Sequence, residues 1–154
     1  MNDKKSDVNW ILYELENRKM REYKKGKAGL EEFVGALDDT KILLGGFRVT
    51  GVDAKSSVTS IRSKFIFVTW VGSKATESKS TVGTAMSSIR TFFAGYNIFV
   101  DVMDGDLKSL SKETMETALR ASAGSHQVQS YDWENKTTVK KKKKRKKKKK
   151  LNAD

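Results

Sequence analysis

The sequence predicts one α/β domain, a mixed β-sheet between helical layers, with a charged tail after it. Two observations carry this. Phe65 to Val71 (Phe-Ile-Phe-Val-Thr-Trp-Val) is a run of β-branched and aromatic residues, too continuous for a strand with one wet face and suited to a central strand covered on both faces. Helical stripes alternate with such runs: Leu30, Phe33, Val34 and Leu37, then Val82, Met86, Ile89 and Phe93, without internal repeats, which fits a sheet flanked by helices. At 154 residues the chain is one domain by size.

In chain order, Val8–Glu16 carries two patterns. Val8, Ile11, Leu12 and Leu15 fit a helical stripe, whereas Trp10, Leu12 and Tyr13 suit a strand. Asn17-Arg18 permits a turn, and the basic Lys19–Lys25 segment fits the second arm of a hairpin on a sheet edge. Ala28–Leu37 is expected to be a short helix with Asp38-Asp39 in the turn beyond it, since anions at a helix C-terminus oppose its dipole. Lys41–Thr50 is expected to be a second buried strand. Gly45-Gly46 within it suggests a bulge or the close approach of a helix. Gly51–Ser60 reads as a polar connection, and the strand at Arg62–Gly72 follows.

Ser73–Thr81 reads as a loop and Thr81–Phe93 as a helix stopped by Gly95. Tyr96–Met103 is expected to hold a third buried strand around Ile98-Phe99-Val100, with Asp104-Gly105 as a turn. Ser111 is placed to cap a last helix that has Glu113 in its first turn, Met115, Ala118 and Leu119 on its inner side, and Gly124 at its end. Ser125–Val139 reads as a polar exit containing Tyr131 and Trp133.

The formal net charge of +12 describes the tail. Of 31 Lys and Arg, 11 form one block, Lys140-Lys141-Lys142-Lys143-Lys144-Arg145-Lys146-Lys147-Lys148-Lys149-Lys150, which leaves 20 against 19 acidic residues in the remainder. The body is nearly neutral, so the overall charge is no argument for nucleic-acid binding by the fold. The block cannot fold alone, because like charges repel and nothing apolar is available to bury. It is expected to be disordered and to attract polyanions, nucleic acid or anionic membrane, by counterion release. It also fits a nuclear-entry signal. There is no Cys, hence neither disulfide nor thiolate site. Met1–Asp7 lacks a signal-peptide core, and no apolar run approaches the ~20 residues of a membrane helix. The expectation is a soluble intracellular protein.

Catalytic chemistry has little to use. His126 is the only His and sits in a Gly-Ser-His-Gln exit segment, which reads as a solvated loop. Asp101, Asp104 and Asp106 surround Gly105, but aligning that Gly with a calcium loop puts Val100 and Val102 where oxygen ligands belong. No phosphate-binding glycine motif is present. Phe65, Phe67 and Trp70 sit in a continuous apolar run, so they read as core rather than as a base-stacking platform. No enzyme, metal or cofactor is expected.

Arg62-Ser63-Lys64-Phe65 leading into Thr69-Trp70-Val71-Gly72 resembles the corresponding strand of the actin-depolymerising-factor homology (ADF-H) fold, its coactosin branch in particular. Val8-Asn9-Trp10, Asp38-Asp39 before Ile42–Val49, Ile89-Arg90-Thr91-Phe92-Phe93 and Tyr131-Asp132 are similar to further family segments in the same order. The resemblance implies a strand at Val8 and an ADF-H domain over residues 7–133; the disordered tail expected over 134–154 from its charge is not a feature of the family. It also implies binding to actin, filamentous rather than monomeric, modulation of filament dynamics without catalysis, and a place on the cytoplasmic actin cytoskeleton. By the same resemblance Lys64 is the actin contact, with Arg62 beside it and Lys74, Lys79 and Arg90 assisting. The alternative reading is a nuclear or polyanion-binding protein acting through the tail. Two departures stand out. Only seven polar residues precede Val8, where the family has an amphipathic helix, so a sheet face left bare is expected to invite self-association. And Ala85-Met86 stand where the family often carries a Lys.

Overall fold

A computed structural model describes residues 8–17, 19–55, 58–76, 83, 91, 95–124 and 127–137. Its strands are β1 (Trp10–Glu16), β2 (Lys19–Gly26), β3 (Ile42–Lys55), β4 (Val58–Val71), β5 (Ile98–Val102) and β6 (Ser130–Asp132); its helices are α1 (Leu30–Gly35) and α2 (Lys112–Ser122), the latter preceded by a 3-10 turn at Leu107–Leu110. The sheet order is β2-β1-β3-β4-β5, and β6 lies against the far half of β3. All pairings are antiparallel except β4 with β5, which is parallel. The sheet is therefore mixed, as expected. Among the described residues no helix is long and apolar enough to cross a membrane.

The two faces follow from strand alternation. One carries Trp10, Leu12, Leu43, Phe47, Val49, Ile66, Val68, Trp70, Ile98 and Val102. These pack with Leu30 and Phe33 of α1, Leu110, Met115 and Leu119 at α2, and Trp133 beyond β6. Phe33 sits between Trp10, edge-on at 5.9 Å, and Phe47 at 5.0 Å. The opposite face holds, among the described residues, a second cluster of Leu15, Ile42, Leu44, Phe67 and Val71, with Ala75, Tyr96 and Met103 against it. On this second face, where bareness was expected, Ile11, Tyr13 and Phe65 are half-buried and Phe99 is 37% exposed.

Local chemistry explains the element ends. Val8–Glu16 resolves in favour of a strand, which starts at Trp10 rather than Val8, and Asn17 takes φ 51° in the turn to β2. The edge strand β2 is mostly exposed and basic, as expected of the Lys19–Lys25 segment as a hairpin arm on the sheet edge. Ser111 caps α2, its Oγ accepting the Thr114 N–H at 3.2 Å, and Gly124 closes that helix at φ +64°. Asp104 and Gly105, at φ 56° and 69°, form the expected turn. Of the helix expected at Thr81–Phe93, Gly83 and Thr91 are described and both are helical; the rest lies outside the described residues.

Several expectations need correction. Most of the supposed connection Gly51–Ser60 is strand, β3 running to Lys55 and β4 starting at Val58: the two stay in register from Ile42↔Val71 to Lys55↔Val58. Its polarity misled, because pairing here continues the register set in the core, with Val52, Ala54 and Lys55 opposite Ile61, Thr59 and Val58. Gly45-Gly46 marks no bulge, since both residues stay in unbroken register with β1 and β4. A Cβ at Gly45 would strike the Ile11 carbonyl of β1, and one at Gly46 the Tyr96 ring and the Ile66 carbonyl. The irregularity lies instead between β1 and β2 at Leu12/Tyr13. The helix expected over Ala28–Leu37 is only Leu30–Gly35, since Gly29 at φ 78° starts it without a side-chain cap. β5 is an outer strand with alternating exposure, not a buried one. The exit is not simply polar either: Val128 and Trp133 are buried, and β6 adds to the sheet.

Candidate functional site

β4 carries the cations singled out by the sequence. Alternation along it puts Arg62 and Lys64 on the α2 side, in line with Ile66, Val68 and Trp70. Lys64 stands opposite buried Val49 and is half-buried; Arg62 stands opposite Gly51 and is exposed. A lysine can lay its stem along apolar neighbours while its ammonium reaches water, which suits a contact cation. Across the sheet from Arg62 comes Tyr131 of β6, opposite Gly51. The Arg120 guanidinium of α2 lies 5.2 Å over the Tyr131 ring, pairs with Glu116 at 2.8 Å and donates to the Val128 carbonyl at 2.8 Å. Arg120 thus ties α2 to the exit beside the Arg62–Lys64 surface. The sequence reading passed over it, and only its i+4 spacing from Glu116 hinted at a role. Burial pushes the Tyr131 hydroxyl up from its ordinary pKa.

Lys74 sits at the other end of β4. Val71 is seven residues from Lys64, about 23 Å at the usual strand rise, and Lys74 lies past it. The structure therefore does not bring Lys74 together with Lys64 and Arg62. Lys74 is exposed, on a loop set by its backbone. Gly72 N–H donates to the Lys41 carbonyl at 3.0 Å, Ser73 N–H to Asp39 Oδ1 at 3.2 Å and Lys74 N–H to the Asp39 carbonyl at 2.8 Å. Trp70 Nε1 donates to the Asp38 carbonyl at 2.8 Å. Asp38 itself is bonded through Oδ1 by the Thr40 hydroxyl and N–H, which hold its carboxyl below the usual range. The matching residues Asp38-Asp39 and Trp70-Val71-Gly72 thus meet in space: one segment clamps the end of the other.

A second charged group flanks this end. Glu14, its side chain only 10% exposed, accepts from Lys41 Nζ at 2.9 Å and from Arg21 at 3.4 Å. The hydrogen bond to Glu14 raises the Lys41 pKa, and the Lys41 ammonium also lies 5.6 Å from the Tyr23 ring. Lys41 is thus engaged within the fold.

Lys79, Arg90 and the tail cations Lys140–Lys150 lie outside the described residues, as does His126. Among the described residues no group of His, Cys, Asp or Glu could hold a metal ion. The hydrogen-bonded body continues past Trp133. Asn135 Nδ2 donates to the Arg48 carbonyl at 2.8 Å, Asn135 Oδ1 accepts from the Thr50 hydroxyl at 2.7 Å, and Thr137 N–H bonds Asp132.

With this geometry in hand, comparison with known proteins gives a consistent result. The sequence model of the cofilin/tropomyosin-type actin-binding protein family matches residues 1–120, and the chain belongs to that family. Among solved structures, coactosin from Entamoeba histolytica is similar with a TM-score of 0.65 at 20% identity, over 79% of this chain and 86% of that one. Mouse coactosin, described as an actin filament binding protein, is similar with a TM-score of 0.61 at 23% identity, over 80% and 82%. A human coactosin-like protein has a TM-score of 0.58 at 20% identity, over 77% and 86%. The fold is accordingly a coactosin-like ADF-H domain. A comparison with curated protein sequences finds no match.

Proposed function

We propose that this protein binds along actin filaments through surface complementarity, with Lys64 as the anchoring cation. The observation that carries the reading is the placement of Lys64, half-buried on β4 in line with the core residues Ile66, Val68 and Trp70, in a domain that belongs to an actin-binding family. Arg62 assists on the same strand face. Lys74 contributes as a separate contact at the opposite end of β4, and Lys79 and Arg90 belong to the intervening segment. Cations on a near-neutral body steer and orient a partner with an acidic surface. The tail adds salt-sensitive attraction of low specificity. On this reading the protein works at the cytoplasmic actin cytoskeleton and modulates filament dynamics by occupancy, without chemistry.

The test is cosedimentation with actin filaments over a salt series, comparing the full chain with one ending at Val139. The truncation keeps Asn135 and Thr137, which the body uses. The shortened chain is expected to pellet with a weaker dependence on salt. Complete loss of pelleting on truncation would assign binding to the tail, as a polyelectrolyte effect, and remove the role given to the domain.

A further inference from the structure

Among the described residues, the outer half of β4 has a strand partner on one side only. Phe65 donates its N–H to Asn97 Oδ1 at 2.7 Å and its carbonyl accepts the Asn97 N–H at 2.8 Å, while the Val71 carbonyl accepts the Gly105 N–H. Odd-numbered residues of β4 therefore turn their backbone groups away from β3. Among the described residues no strand continues alongside beyond Asn97: β5 begins its pairing at Ile66↔Ile98. Among the described residues, nothing accepts from or donates to the outward backbone groups of Thr59, Ile61 and Ser63. The edge is accessible, with Ile61 40% exposed and Val58 51% exposed. β3 carries no such opening at the same level, because β6 fills its far side at Thr50–Val52.

We propose that this edge pairs with the same edge of a second copy of the chain, antiparallel and centred on Ile61. The open lane is bounded by Asn97 at one end and the hairpin turn at the other, and it runs from Val58 to Lys64. The same segment of a second copy fills that length. In this register Ile61 faces Ile61, Thr59 faces Ser63, Ser60 faces Arg62 and Val58 faces Lys64. The three outward-facing residues of each copy then exchange all their backbone N–H and carbonyl groups. Thr–Ser and Ile–Ile are favourable cross-strand pairs, and no like charges stand directly opposite one another. Shifting the centre to Arg62 or Ser60 sets a charge, or an alcohol, against itself and moves Ile61 off its match. A two-fold contact of this kind closes on itself and makes one continuous sheet across two domains. The two Arg62 side chains remain diagonal neighbours and the two tails repel, so moderate salt favours the pair.

The natural absence of Cys permits a register-specific test on the full chain without actin. Single variants Ile61→Cys, Thr59→Cys, Ser63→Cys and, on the exposed face of α2, Glu113→Cys are treated with a short bifunctional maleimide at moderate salt. Ile61→Cys is expected to form covalent dimer at least about tenfold faster than Glu113→Cys. A mixture of Thr59→Cys and Ser63→Cys chains is expected to cross-link between the two, whereas each alone stays slow, its own copies lying about 13 Å apart along the pairing. Equal rates at Ile61 and Glu113, or a mixture no faster than its components, would overturn the proposal. The outcome is independent of filament binding, since no actin is present.

Discussion

Gly72→Ala should be among the most damaging one-carbon changes in this protein. A Cβ at Gly72 would lie 2.1 Å from the Asp39 carbonyl oxygen, 2.3 Å from its carbon and 2.8 Å from the Asp39 Cα. All three atoms are backbone, so no side chain can swing aside. The loop and the Asp38–Lys41 turn must separate, and the bonds from Gly72 N–H, Lys74 N–H and Trp70 Nε1 stretch or break. At about 1 kcal/mol for each hydrogen bond the loss is ~3 kcal/mol, and strain of the kind that accompanies overpacking acts in the same direction. The matched control is Gly35→Ala. Its Cβ would meet nothing within 4 Å, and Gly35 ends α1 with ordinary backbone angles. There the better helix propensity of Ala should stabilise by up to about 0.5 kcal/mol. Urea unfolding followed by Trp fluorescence reads both. If Gly72→Ala unfolds within about 0.5 kcal/mol of the parent, a bar set well under the cost of one lost hydrogen bond, the clamp between Asp39 and Gly72 is not what holds this end of β4.

Trp70→Phe keeps the ring volume in part but deletes the Nε1–H bond to Asp38. It should cost about 1–2 kcal/mol in the same unfolding assay. Asn135→Ala removes the bridge to Thr50 and the Arg48 carbonyl, and amide exchange should speed up at the β6 pairing residues while that of β1 is unchanged. Asp132 has its folded pKa lowered: burial opposes the charge, but hydrogen bonds from Thr137 and Glu134 outweigh it. Its stabilisation is therefore full above the ordinary carboxylate pKa and is lost as pH falls through the lower folded value. Asp132→Asn should flatten the acid limb of stability below about pH 4, which acid titration by circular dichroism would show.

The sequence was most legible where burial and local chemistry agreed. Phe65–Val71 announced a central strand, Ser111 and Gly124 bracketed α2, and Asp104-Gly105 marked its turn. Long hairpin arms were illegible because Gly51–Ser60 has no apolar face to report: its pairing comes from the register begun in the core. β5 looked buried because Ile98-Phe99-Val100 is apolar, yet Phe99 stands on the outer strand and stays exposed. Within the candidate site, Lys64 and Arg62 were recognisable as neighbours by their i+2 spacing. Their distance from Lys74 was not, since a strand's length shows only once its residues are known to be extended. The role of Gly72 was equally hidden, because the atom that demands glycine belongs to Asp39, far away in the chain.

The most direct test of the account is the affinity of the chain ending at Val139 for actin filaments, measured by cosedimentation for Lys64→Ala against Lys19→Ala. Lys19 is an exposed cation on the far edge strand β2. If Lys64 anchors the complex, its removal should cost about 2 kcal/mol or more, near thirtyfold in affinity, while Lys19→Ala changes it by less than about twofold, as expected for a charge outside the contact. Equal and small effects of the two substitutions would contradict the placement of the binding surface on β4.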